Sequence, residues 1–223
     1  VGSEMCIRDS QYTHKYNFYT IGNPEFNNAI TMSDMNSYTQ EHSMESFFGR
    51  VNYDFDNKYY LSASIRSDES SKFHPDHRRG TFWSVGGSWR LTQEEFLKDV
   101  EWLTGAQIKL STGTSGNSTI PDYDHLALVS GNANYLDQAG LYPLQSGNED
   151  LGWEQTWANN IGMSVGLFNR LNVNLDFYHK KTTNILMFVP QSYAMTGESG
   201  HWDNIGAMMN RGVEVAVDGD VVR

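Results

Sequence analysis

A single cysteine, Cys6, in 223 residues leaves no partner for an internal disulfide, which excludes a small disulfide-stapled scaffold. No run approaches the roughly 18 consecutive apolar residues of a membrane-spanning helix. That excludes helical spans only, because barrel strands are short and alternate in polarity. Positive charge is scarce: 16 Lys and Arg against 27 Asp and Glu give a net charge of -11, unlike a general nucleic-acid surface, so no nucleic-acid partner is expected. Catalytic signatures are missing as well. There is no GxSxG, no P-loop, no Rossmann fingerprint and no Cys–His constellation, and no carboxylate pair stands out as a glycosidase pair would. Neither an enzyme nor a cofactor is expected. His74-Pro75-Asp76-His77 carries ligand residue types, but a proline and an i, i+3 spacing in a loop fix no geometry, so no metal site is expected. Asn117-Ser118-Thr119 matches a glycosylation sequon, a pattern short enough to arise by chance.

What the chain has in quantity is aromatic residues, 13% of the total with 12 Tyr, 11 Phe and 6 Trp. They suit either sugar-stacking surfaces or the interfacial girdles of a barrel. Alternation is the second feature. Phe47, Gly49, Val51, Tyr53 and Phe55 oppose Phe48, Arg50, Asn52 and Asp54; Tyr59, Leu61, Ala63 and Ile65 oppose Tyr60, Ser62, Ser64 and Arg66. Trp83, Val85, Gly87, Trp89 and Leu91 then oppose Phe82, Ser84, Gly86, Ser88 and Arg90. A period of two over such lengths predicts extended strands with one dry and one wet face.

The same pattern returns along the chain. Ile108 and Leu110 alternate within 106–114; Trp157, Ile161, Met163, Val165 and Leu167 within 153–167; Leu171, Val173, Leu175 and Phe177 within 171–178; and Val213, Val215 and Val217 within 213–218. With one strand near 12–20, inside an otherwise loop-like stretch 11–45, about seven strands are predicted. Thr92-Gln93-Glu94-Glu95 followed by Phe96, Leu97 and Val100 predicts a short helix of two or three turns inside a connection. The first ten residues, VGSEMCIRDS, show no alternation and no signal-peptide core. They are expected to be a non-native terminus of the adapter read-through kind, with the fold confined to 11–223.

Connections alternate between compact (56–57, 92–105, 168–170) and long (67–80, 115–152, 185–204). Up-and-down antiparallel strands therefore place the long loops at one end and the compact turns at the other, the layout of a transmembrane β-barrel. A soluble sandwich shows the same periodicity. The rival expectation is accordingly a soluble or secreted all-β carbohydrate-binding or glycoside-hydrolase-type domain.

Five blocks in order carry a resemblance: FFGRVNYDFDNKYYLSASIRSDESSKF, GTFWSVGGSWRLTQEEFLKDVEWL, IKLSTGTSGNSTIPDY, LGWEQTWANNIGMSVGLFNRLNVNLDFYHKKTTNIL and NIGAMMNRGVEVAV, with Trp153-Glu154 and the run Asn210 to Glu214 in place. Over roughly 44 to 218 the chain resembles the C-terminal barrel region of SusC/RagA TonB-dependent outer-membrane transporters. The resemblance implies an all-β fold: antiparallel up-and-down strands forming part of a large transmembrane barrel, embedded in outer-membrane lipid, with the short helix in a periplasmic connection. It implies import of oligosaccharides or peptides with a SusD-like surface lipoprotein, energised by the TonB complex through an N-terminal part and plug that these residues do not include. The final barrel strands are missing from the match too, so a fragment is expected.

If the strands span a membrane, their polar faces line the lumen, which selects Arg50, Asn52, Arg66, Arg90, Lys109, Asn160, Asn174 and Asp176. Substrate contact is expected in the long loops, where Tyr123, Tyr135, Tyr142, Tyr193 and Trp202 could stack on sugar faces. Trp83, Trp89, Trp102 and Trp157 are expected as girdle or lipid-facing residues.

Overall fold

Alternation fixes which way each side chain points, and the sheet is built on that rule. The computed structural model describes residues 2–18, 29–136 and 138–220, with side chains described from 39 on apart from 132–135 and 139. Eight strands form one antiparallel sheet: β1 (Gly2–Phe18), β2 (Ala29–Phe55), β3 (Tyr59–Ser70), β4 (Arg79–Arg90), β5 (Leu103–Asn117), β8 (Glu154–Leu167), β9 (Leu171–Thr183) and β12 (Ala207–Gly219), hydrogen-bonded in that order. Two ribbons stand apart from it, β6 (Leu128–Tyr135) with β7 (Gln138–Gln145), and β10 (Leu186–Pro190) with β11 (Gly200–Asn204). A one-turn helix, α1 (Tyr193–Thr196), joins the second pair.

Register carries the alternation across the whole sheet. Tyr53, Leu61, Gly87, Leu110, Ile161, Phe177 and Val213 face one another in an unbroken row from β2 to β12. One residue along lies the polar row Asn52, Ser62, Gly86, Ser111, Asn160, Tyr178 and Gly212. The apolar rows are not covered: Val51 is 69% exposed, Ile65 58% and Val213 68%. A soluble sandwich packs a second sheet on its dry face; among the described residues nothing does so here. Trp83 and Trp89 sit on that face six residues apart on β4, about 20 Å of strand, near the roughly 25 Å apolar band of outer-membrane barrels.

Core residues lie elsewhere. Phe73, Ile120, Leu151 and Leu186 form the buried cluster, with Trp153 and Trp202 packed against it, and all of them come from the connections β3–β4, β5–β8 and β9–β12 or their edges. These are the long loops, gathered at one end. The compact turns gather at the other. Asp56 and Asn57 take φ of 53° and 52°, Phe168 and Asn169 both 53°, and each turn closes by an i to i+3 bond, from Lys58 N to Phe55 O (3.0 Å) and from Arg170 N to Leu167 O (3.0 Å). Asn and Asp adopt this left-handed backbone readily and phenylalanine does not, so Phe168 is held by its surroundings. Its N–H donates to Trp102 O at 2.8 Å and its ring packs on Trp102, centroids 6.4 Å apart.

Several expectations change. Residues 29–45, read as loop, belong to β2, and residues 2–10 run in β1, with Gly2 opposite Ser46. The helix expected after Thr92 is a 3-10 turn, Leu91–Gln93, followed by i to i+3 bonds from Leu97 to Glu94, Val100 to Leu97 and Leu103 to Val100. Thr92 caps nothing, and Glu94 turns away to bind Tyr59 and Trp89. The first long loop shortens to 71–78 because Glu69 and Arg79 pair across the strands at 2.7 Å. The other two long connections carry the ribbons.

Candidate functional site

Three loops and one sheet face meet at the long-loop end. Trp153, at the foot of β8, is the joint. Its ring centroid lies 5.4 Å from Phe73 and 5.4 Å from Phe82, and its indole N–H donates to Arg78 O at 2.8 Å. A Cβ on Gly116 would fall inside the Phe82 ring, so β5 needs glycine for Phe82 to lie beside Trp153. Glu154 continues the joint, accepting from Leu186 N (3.1 Å) and from Asn117 Nδ2 (3.4 Å). Asn204 locks the third loop to the second: its Oδ1 accepts from Gly152 N (2.7 Å) while its Nδ2 donates to Gly152 O and Asn184 O, both 2.9 Å. Asn148 Nδ2 donates to Trp202 O at 3.0 Å, and Ser146 donates to Glu198.

A polar clamp ties this layer to β2. Asp122 Oδ1 lies 3.4 Å from His42 Nδ1 and 3.7 Å from Lys72 Nζ, and Lys72 Nζ donates to Ile120 O at 2.8 Å. Glu41 N donates to Tyr123 Oη at 2.8 Å. Beside them Asp124 Oδ2 is buried without a hydrogen-bond partner. Burial first, and then the charge of Asp122, push the Asp124 carboxyl up to about 6. His125 is buried against Lys72 O (3.0 Å), and that burial pushes its imidazole down.

Below the loops, on the polar sheet face, lies a cleft of ≈ 410 Å³ walled by Ser64, Arg66, Ser84, Thr114 and Ser118, with Phe82 and Trp153 at its back. Arg66 Nε donates to Asp68 Oδ1 at 2.6 Å and Nη2 to Ser46 Oγ at 3.2 Å; Ser64 and Ser84 share a hydroxyl bond of 2.7 Å. A second cleft, ≈ 530 Å³, lies among His77, Arg79, Asp150, Asp203 and Asn204.

The structure brings the eight polar candidates onto one face. Arg50, Asn52, Arg66, Arg90, Lys109, Asn160, Asn174 and Asp176 all occupy register positions alternate to the apolar rows. Arg90 lies over the Tyr60 ring at 4.8 Å, Lys109 Nζ donates to Ser164 Oγ (3.3 Å) and Asn160 Nδ2 to Ser111 Oγ (3.3 Å). The loop aromatics do not form a common platform. Tyr123 spends its hydroxyl on β2, Trp202 packs on the loop core with Phe188 edge-on at 6.2 Å, and Tyr142 is half-buried opposite Ser130. Tyr193 is free in water at 63% exposure. The Tyr135 side chain lies outside the described residues. In the histidine-rich loop, His74 Nδ1 is 3.5 Å from Asp76 and His77 Nε2 is 3.8 Å from Asp150; among the described residues no three such ligands converge. Trp153 was the residue sequence reasoning passed over as a site, although its pairing with Glu154 was visible.

Comparison with known proteins places this geometry. The sequence pattern of the family described as "TonB dependent receptor-like, beta-barrel" matches residues 7–221. TonB-dependent receptor P39 of Formosa agariphila is 34% identical over 219 residues, covering 93% of this chain and 21% of that protein. TonB-dependent receptor SusC of Bacteroides thetaiotaomicron is 31% identical over 199 residues, covering 84% of this chain and 19% of that protein. The chain thus spans about a fifth of the length of these curated relatives. A solved structure of the RagAB peptide importer in its closed-closed state superposes with a TM-score of 0.85 at 30% identity, over 99% of this chain and 28% of that one.

Proposed function

The chain belongs to the TonB-dependent receptor β-barrel family of the outer membrane, and on that premise we propose that it forms wall and long-loop end of an importer of oligosaccharides or peptides. The family is one of receptors and transporters rather than enzymes. In this reading the uncovered apolar rows meet lipid, the polar rows face the lumen, and the interlocked loops form part of the outer mouth. One observation carries it: seven strands in unbroken register hold one apolar and one polar face, and every long connection lies at the same end. A water-soluble sheet cannot leave such a face bare without aggregating. The strands from Gly2 to Gly219 then supply part of the barrel, while a plug and a TonB-contacting segment belong to other parts of the receptor. The similarity to SusC and to the RagAB peptide importer supports a SusD-like surface lipoprotein as partner and TonB as energy source.

The test uses cells carrying the intact receptor with its neighbouring lipoprotein. Labelled oligosaccharides and peptides are offered before and after loss of TonB, and the receptor is fractionated. Uptake that needs both TonB and receptor is expected, with the receptor recovered only by detergent. Recovery in the soluble fraction, or entry indifferent to TonB, overturns the reading.

A further inference from the structure

Two rows of the apolar face change character as they cross the sheet. The row nearer the compact turns begins with the aromatics Phe55, Tyr59 and Trp89 and continues as the aliphatic Ile108, Met163, Leu175 and Val215. Four residues along each strand, the row nearer the long loops begins aliphatic, with Val51, Ala63 and Val85. It continues as Thr112, Asn159, His179 and Arg211. Strands of a membrane barrel tilt by about 35–45°, so a row at right angles to them climbs through the bilayer. In the barrel reading the first row rises from the inner aromatic girdle into the hydrocarbon, and the second leaves the hydrocarbon at β8, β9 and β12. Charge on the lipid face is costly at the midplane and tolerated at the interface, so His179 and Arg211 belong to the outer interface.

Positive charge collects at that edge. Lys181 stands two residues beyond His179 on the same face of β9, between Trp157 on β8 and Met209 on β12. His179 is directly opposite Arg211, with Cα atoms about 5 Å apart, and Lys181 is diagonal to Arg211 at about 7–8 Å. Because β9 has β8 on one flank and β12 on the other, the surroundings of His179 and Lys181 on both sides belong to this chain. On this face β8, β9 and β12 carry no Asp or Glu; Glu154, Asp176, Glu214 and Asp218 all take the alternate positions. No ion pair among the described residues includes His179, Lys181 or Arg211. In a chain of net charge -11 this is a local reversal of sign. Hydrogen-bond donors point the same way. Trp157 Nε1 donates to Thr112 Oγ1 (3.1 Å), and Thr112 Oγ1 donates to Asn159 Oδ1 (2.7 Å), which leaves the Asn159 amide as a donor beside His179.

We infer that Lys181, Arg211 and His179, with the Asn159 amide, form a membrane-facing site for the phosphate of an outer-leaflet lipid, whose acyl chains lie along the rows of Ile161, Phe177 and Val213. This rests on the reading of the sheet as barrel wall. Charge chooses the occupant: clustered Lys and Arg at a membrane edge attract anionic headgroups, and guanidinium and ammonium groups make charge-assisted bonds to phosphate oxygens. Continuity chooses lipid over a free anion, because the cluster opens directly onto the uncovered apolar rows.

Native mass spectrometry of the intact receptor, purified in detergent with its neighbouring lipoprotein, tests the site. The probes are bisphosphorylated lipid A, the same lipid without its phosphates, and inorganic phosphate. The phosphorylated lipid is expected to bind about tenfold more tightly than the dephosphorylated one, with no displacement by inorganic phosphate. Lys181→Ala and Arg211→Ala are each expected to weaken it about fivefold, the usual weight of one cation at an anionic membrane surface, and Lys181→Arg to stay within about twofold. Two positions keep the test open if one variant fails to fold. Lys180→Ala supplies the contrast: one residue along the same strand but on the other face, near the Tyr178 ring, it is expected to leave lipid binding unchanged. Absent or phosphate-independent lipid binding, displacement by inorganic phosphate, or equal responses of Lys180→Ala and Lys181→Ala overturns the site and leaves the barrel wall standing. Loss of the lipoprotein from the Lys181→Ala receptor with lipid binding unchanged makes the patch a protein contact and overturns it as well. Recovery of the receptor without detergent overturns the barrel reading and the site with it.

Discussion

The two ends of the sheet are held by different physics. At the compact end each turn closes on itself, through left-handed Asp56-Asn57 and Phe168-Asn169 and bonds spanning three residues. Its side-chain network centres on Glu94, which accepts from Tyr59 Oη (2.7 Å) and Trp89 Nε1 (3.0 Å) with Lys58 Nζ at 3.8 Å, and beside it Phe168 N–H donates to Trp102 O. At the long-loop end the bonds span 52 residues from Gly152 to Asn204 and 75 from Trp153 to Arg78, and the chain's buried apolar cluster is there. Local closure makes the first end independent of the second. Long-range closure makes the three loops depend on one another, so a break in any should be felt in all.

The strongest way to break this contrast is Trp153→Ala. Deleting an indole between Phe73 and Phe82, together with its bond to Arg78 O, which keeps Ser70 N as its other donor, is expected to cost about 3–5 kcal/mol of loop stability. Hydrogen exchange on the intact receptor should show 71–78, 118–151 and 184–206 losing protection together while 167–171 keeps its own. Loss confined to residues beside 153 would show that the loops are separate. Asn204→Ala is next. It removes three bonds and leaves the Gly152 N–H and two carbonyls without partners, with an expected cost of about 1–3 kcal/mol and deprotection of 184–206 and 146–152 first.

The difference between the ends also explains what could be read from the sequence. Strands β3, β4, β5, β8, β9 and β12 were legible because a period of two is a local signal and register merely copies it from neighbour to neighbour. The 29–45 part of β2 was not, since its polar run has no dry face to alternate. The helix after Thr92 failed because Glu94, three-dimensionally, belongs to Tyr59 and Trp89. Tyr123 and Trp202 are expected from sequence as stacking residues of the loops, and the structure adds what no sequence window holds: Tyr123 accepts from Glu41 N, 82 residues away, and Trp202 packs on the loop core. No pattern within a short window contains such partners.

Acid and base should separate the two ends by sign. Burial raises Asp124 to about 6, so its folded form holds a proton that the unfolded segment gives up at lower pH. Its contribution is full below the usual carboxylate pKa and is lost as pH rises through about 6, loosening the attachment of 118–126 to β2. Asp124→Asn should remove that dependence. At the compact end the hydrogen bonds from Tyr59 and then Trp89 hold the Glu94 carboxyl below the usual range. Its contribution is present above the ordinary glutamate pKa and is lost only as pH falls through the lowered value, because the proton displaces the charge those donors favour. Glu94 is half-buried in a surface connection, its charge shared with Lys58 at 3.8 Å, and its effect is expected to be the smallest of the set. Exchange at 91–103 should therefore quicken in acid, where 118–126 slows, and Glu94→Gln should flatten the first curve without touching the second. A common sign at both ends, or a Glu94→Gln effect reaching 118–126, would show that the ends are coupled through the strands.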